Sequence, residues 1–231
     1  MTTRRLVAMI FLVSASSLVG CSGDGPERVS KETELDSLKL MEGTTLTQNL
    51  DVPGEDFKLV IDYDTGRYDF SNWRITSNKY INMSAYATGI PEGTTILVDH
   101  MHVDISLQST LAQVDGMLQD SMDNSYNGAS QDGYYIDEKY RYRNTFIIEG
   151  YSQTLISGWG FVCGSYGTYE ISQERLTEKN LIEEGEVYAN KVQVEYKLLV
   201  KNEGEEYFHN TTVVSEFSIP VQYTEPDTEE E

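Results

Sequence analysis

The chain predicts a mainly β domain of antiparallel strands, on three observations. Tyr, Val, Thr and Ile are plentiful, with 16 Tyr in 231 residues, and such side chains suit half-buried pleated surfaces. Val192, Val194, Tyr196, Leu198 and Val200 alternate with Gln193, Glu195, Lys197 and Leu199, the period of a strand with one buried face. Gly, Pro and Asn punctuate the apolar runs as turns, whereas helical periodicity is scarce.

Taken in order, residues 22–42 read as a flexible tether opened by Ser22-Gly23-Asp24-Gly25-Pro26, with a short helix allowed over Glu32 to Met41. Phe57 to Tyr63, Tyr80 to Thr88 and Thr94 to Leu107 are predicted strands, the last two joined by the turn Ile90-Pro91-Glu92-Gly93. Leu107, Leu111, Val114 and Leu118 recur at helical spacing and predict one amphipathic helix. Thr145 to Val162 predicts a strand that bends at Gly150 and Gly158. A weaker helix is predicted over Gln173 to Glu184, with Leu176, Leu181 and Ile182 docking. The alternating strand through Val200 then turns at Asn202-Glu203-Gly204 and returns as Tyr207 to Val221, with Pro220 near its end, where a missing N–H is tolerated. Many strands with few helices predict an antiparallel immunoglobulin-like β-sandwich with one or two short helices. The predicted domain is 43–223, followed by a disordered acidic tail at 224–231.

The formal charge is −21 with His neutral. Such a chain is repelled by nucleic acid and by anionic head groups, which argues against both as ligands. No G-x-S-x-G elbow, HExxH or phosphate-binding glycine motif occurs, and the glycines from Gly158 to Gly167 are interleaved with aromatics. The expectation is a non-enzyme.

The N-terminal segment is the most specific signal. Arg4 and Arg5 precede a compact apolar stretch, Leu6 to Val13, too short for a permanent membrane span. Small residues Ser14 to Ser17 then lead to Leu18-Val19-Gly20-Cys21. A small residue before the cut and a thiol after it are what lipid transfer and cleavage need, and the segment resembles a bacterial lipoprotein signal. The resemblance covers residues 1–21 alone. It implies removal of 1–20, acylation of Cys21 and residence on the extracytoplasmic face of the cell membrane, as in surface lipoproteins of Gram-positive bacteria. Loss of Arg4 and Arg5 would carry the formal charge to −23. Lipidation would use one of the two cysteines and leave Cys163 without a partner in the chain, so no disulfide framework is expected.

Two clusters could carry metal chemistry. His100, His102 and Asp104 share one face of a strand and are ligand types suited to zinc, although the apolar opposite face explains the segment as an ordinary half-buried strand. Asp123, Ser125 and Asn127 occupy positions one, three and five of a calcium-loop pattern with Gly128 at six; position twelve is Tyr134 instead of glutamate, and Asp132 partly compensates. A third candidate is a recognition patch of Trp159, Tyr166 and Tyr169, if they are exposed together. The expected function is a membrane-anchored binding module that engages a protein or cell-envelope component, with no cofactor beyond the covalent lipid. The alternatives are a zinc- or calcium-binding surface protein, and an enzyme of unrecognised type.

Overall fold

The computed structural model describes residues 43–125, 133–150, 161–164, 167–170 and 177–221. The lipobox and Cys21, the tether with its helix over 32–41, and the tail at 224–231 lie outside the described residues. Within them the fold is mainly antiparallel β, in two sheets packed face to face.

One sheet has the order β1-β2-β3-β7: β1 (Thr45–Asp51), β2 (Lys58–Asp64), β3 (Lys79–Thr88) and β7 (Tyr142–Ile148). The other runs β11-β10-β4-β5, from β11 (His209–Pro220) and β10 (Val187–Lys201) to β4 (Thr95–Ser109) and β5 (Leu118–Ser125), and the short β6 (Tyr134–Tyr135) also pairs with β4. β8 (Phe161–Gly164) and β9 (Gly167–Glu170) form a separate two-stranded ladder. The only α-helix among the described residues, α1 (Glu178–Glu183), starts on a Thr177–Asn180 capping box.

Period-two patterning places the core. Leu59, Ile61, Tyr63, Ile81, Met83 and Phe146 from the first sheet meet Met101, Val103, Ile105, Val194, Tyr196 and Phe217 from the second in one cluster. Each fully buried Ile or Leu of this kind stabilises the fold by about 1.5–3 kcal/mol. Tyr63, Trp73 and Asn190 find partners for the polar atoms that they carry into the core. The Tyr63 hydroxyl bonds Ser215 Oγ at 2.5 Å, and Trp73 Nε1 donates to Asn190 Oδ1 at 2.8 Å. Asn190 Nδ2 in turn donates to Gln119 Oε1 at 2.9 Å.

One irregularity decides what faces water. Lys197 pairs with His100 but Leu198 pairs with Val98, so Asp99 is an extra residue bulged out of β4. Before the bulge Ile96 and Val98 are buried, and after it Met101, Val103, Ile105 and Leu107 are. The slip switches parity, and thereby sends His100, His102 and Asp104 to the outer face.

The helix predicted over Leu107 to Leu118 is not formed. Leu107 is the last core residue of β4, and residues 110–117 make a compact turn into β5. Ser109 N–H donates to Asp115 Oδ1 (3.1 Å), Gly116 N–H to the Leu107 carbonyl (2.9 Å) and Leu107 N–H to the Met117 carbonyl (2.8 Å). Gly116 adopts φ 72°, a left-handed conformation that glycine takes at little cost. Leu111, Val114 and Met117 plug the end of the core, while Leu118 is 55% exposed, so the apolar spacing arises from a buried turn. The strand predicted from Thr145 to Val162 is likewise two elements, β7 and β8, separated by a segment that includes residues 151–160, outside the described residues. At Gly150 an added Cβ would lie 2.2 Å from the Thr76 carbonyl oxygen, so close backbone approach requires glycine there. The second predicted helix is confirmed in its later part as α1, where Leu181 is fully buried and Ile182 packs against the core; Leu176 lies outside the described residues.

Candidate functional site

The outer face of the five-stranded sheet brings the two metal candidates together. β4 is a central strand, held by β10 on one side and β5 on the other, so its outward side chains are fixed by two ladders. The turn at 110–117 returns the chain antiparallel, with Asp123 opposite His102, Ser125 opposite His100 and Ser121 opposite Asp104. On the other flank β10 sets Glu195 opposite His102 and Lys197 opposite His100.

Asp123 Oδ1 lies 2.6 Å from His100 Nε2 and 3.7 Å from His102 Nδ1. The remaining nitrogen of His102, Nε2, is 3.1 Å from Asp104 Oδ2. One donor atom from each of His100, His102 and Asp123 falls within 4.8 Å of the others, a spacing that one metal ion can bridge. The His100 side chain is 18% exposed and that of Asp123 67%, so a seated imidazole faces a carboxylate free to adjust.

The sequence pairs His100 and His102 correctly on one face, but the third member of the cluster is Asp123, and Asp104 stands behind His102 within ion-pair distance. Asp123 and Ser125 belong to strand β5, not to a loop after a helix. Extended backbone spreads alternate residues along the strand, whereas a calcium loop curls them around one ion. Asn127 and Asp132 lie outside the described residues, as do Trp159 and Tyr166; Tyr169 is in β9 opposite Val162. The sequence signal for Asp123 as a third ligand is faint, because it depends on a cross-strand register set by an unrecognised turn.

A further histidine cluster was not foreseen. His209, at the start of β11, has Nε2 at 2.6 Å from Glu55 Oε1 and Nδ1 at 3.4 Å from Glu205 Oε2. Asn202 Nδ2 donates to the other Glu55 oxygen at 3.3 Å. The hydrogen bond to Glu55, with the charges of Glu55 and Glu205, holds the imidazole above its ordinary pKa.

The outer face of the first sheet carries a concavity of about 680 Å³ lined by Asp62, Arg141, Arg143 and neighbouring polar side chains. Arg141 is already engaged there: it pairs with Asp62 at 2.8 Å and lies 3.8 Å from the centre of the Tyr86 ring. None of the sequence-predicted site residues lines it.

No protein-family model matches the chain, and no curated protein matches it. A solved structure of a protein from Archaeoglobus fulgidus is similar over 79% of this chain and 99% of that one, at 10% identity and a TM-score of 0.32. A likeness this remote carries no argument about fold or function.

Proposed function

We propose that the chain is a lipid-anchored, extracytoplasmic binding module, held to a bacterial cell membrane through Cys21 and engaging a protein or cell-envelope component through the outer face of its five-stranded sheet. The observation that carries this reading is the convergence of His100, His102 and Asp123 on that face. Two imidazoles and a carboxylate stand on the outer face of an antiparallel strand pair, with His102 and Asp123 exposed to water in part. Water-exposed geometry suits recognition; catalysis gains most where solvent is expelled. The lipobox supplies the anchor, since several acyl chains hold a protein durably where one does not.

The strand order supports an immunoglobulin-like reading of the sandwich. With β2, β3 and β7 in the places of strands A, B and E, and β11, β10, β4 and β5 in those of G, F, C and C′, the pairings among these seven strands are ones that such a fold makes, while β1 extends the first sheet beyond A and β6, β8 and β9 stand outside the scheme. The histidine face is then the outer surface of the G-F-C-C′ sheet.

Two measurements test the proposal on intact cells. Metabolic labelling with a palmitate analogue should mark the chain, and Cys21→Ala should abolish the label and release the protein from the membrane. A photo-crosslinking residue at Ser121, beside the site, should trap a recurrent adduct that the same residue at Thr47 on the opposite sheet does not. Equal adducts from both faces, or label retained by Cys21→Ala, would overturn it.

A further inference from the structure

We infer that His100, His102 and Asp123 bind a divalent transition-metal ion of the zinc class, with Asp104 as the positioning residue for His102. This names a ligand for the face proposed above and rests on that face being the binding surface.

The donor atoms choose the ion class. Imidazole nitrogens with one carboxylate oxygen suit zinc and its neighbours, while calcium asks for an all-oxygen shell. The spacing agrees. Ligands about 2.1 Å from a tetrahedral ion stand roughly 3.4 Å from one another. Asp123 Oδ1 is now 2.6 Å from one ring nitrogen and 3.7 Å from the other, so a small swing of an exposed side chain brings it between them. To ligate, His100 takes the tautomer with its proton on Nδ1, so that the Nε2 lone pair and Asp123 Oδ1 both face the ion in place of their present contact.

The surroundings agree too. Asp104 Oδ2 lies 3.1 Å from His102 Nε2, and with the ring proton on that nitrogen Nδ1 turns its lone pair to the side facing Asp123. A carboxylate behind a ligating imidazole fixes the ring and raises its basicity, a support that metal sites use regularly. Both histidines sit on the central strand of the sheet, fixed by ladders on either side. Three ligands from two adjacent strands cover the ion from the sheet side. A fourth position would remain for water or for a donor atom from another molecule, which is how an ion on this face would serve recognition.

The test is calorimetric titration of the full chain, extracted from cells in mild detergent and freed of metal by chelation, with zinc chloride and separately with calcium chloride. The expected result is one zinc per chain and no calcium binding at the same concentrations. His102→Ala and Asp123→Asn should each weaken zinc roughly a hundredfold, Asp104→Asn about 10–100-fold, and His209→Gln less than about twofold. Cobalt substituted for zinc should give the intense visible bands of a tetrahedral site, absent in His102→Ala. Unchanged melting of the metal-free variants keeps a folding defect from imitating lost ligation. Absence of saturable zinc binding, or binding indifferent to both His102→Ala and Asp123→Asn, would overturn the inference. The two readings fail separately: no zinc with the Ser121 adduct intact removes only the metal, whereas zinc at unit stoichiometry with no adduct removes the recognition role.

Discussion

His102 and His209 lie on the same sheet and each stands between two carboxylates, yet the two clusters are built for different work. At His102 one carboxylate, Asp104, lies 3.1 Å from Nε2, and Nδ1 is 3.7 Å from Asp123, whose same oxygen also meets His100. At His209 both nitrogens are occupied, by Glu55 from the β1–β2 loop and Glu205 from the β10–β11 turn. Glu55 is only 7% exposed and also accepts from Asn202, so this cluster fastens loops of the two sheets to each other. The residue types alone do not separate a ligand set from a clasp. What separates them is that at His102 a second imidazole, His100, converges on the same carboxylate, whereas His209 has only carboxylates around it.

The largest expected difference between the clusters is their response to metal. Free zinc at about 100 times its dissociation constant should raise the unfolding free energy by roughly 2.7 kcal/mol, because the ion binds the folded state alone. The increment should vanish in Asp123→Asn and survive in His209→Gln, read from urea midpoints with and without the ion. A loss in both variants would mean that the clusters are coupled and that the distinction drawn from geometry is mistaken.

A smaller effect should come from the clasp. Glu55→Ala deletes a buried carboxylate that accepts from Asn202 and pairs with His209, and should cost about 1–2 kcal/mol, toward the low end because His209 is partly exposed. Zinc affinity measured in the same variant should be unchanged. A variant as stable as the parent would show that the clasp holds only in appearance.

How far these features were legible follows from the same physics. β2, β3, β10 and β11 announce themselves because one face of each is apolar at every second residue. β1 does not: its residues are alternately exposed and half-buried, and only Leu46 and Leu50 pack against the core. The turn at 110–117 imitated a helix because a turn that buries Leu111, Val114 and Met117 repeats apolar letters at nearly helical intervals. That misreading hid β5, and with it the register that sets Asp123 opposite His102. The pair His100 and His102 was visible because its geometry is local to one strand. The pairing of Glu55 with His209 was not, because the two meet only after the sheets pack.

The pH dependence of stability gives the finest discrimination. His209 binds its proton more tightly in the folded protein than in the unfolded chain, chiefly through the hydrogen bond to Glu55. The folded state therefore holds more protons in this window, and stability falls as pH rises. The clasp contributes in full below the unfolded imidazole value of about 6.5, and its contribution is lost as pH climbs through the raised folded value. Parent and His209→Gln should accordingly differ more in urea midpoint near pH 5.5 than near pH 8.5, where the neutral ring offers Glu55 only an uncharged hydrogen bond. The shift will be modest because the imidazole is partly exposed and solvent screens the pair. Glu55→Gln should flatten the same pH slope while leaving the ring in place, which assigns the effect to the carboxylate partner. A parent and a His209→Gln variant that respond identically to pH would leave His209 as a surface residue and remove the electrostatic half of the contrast with His102.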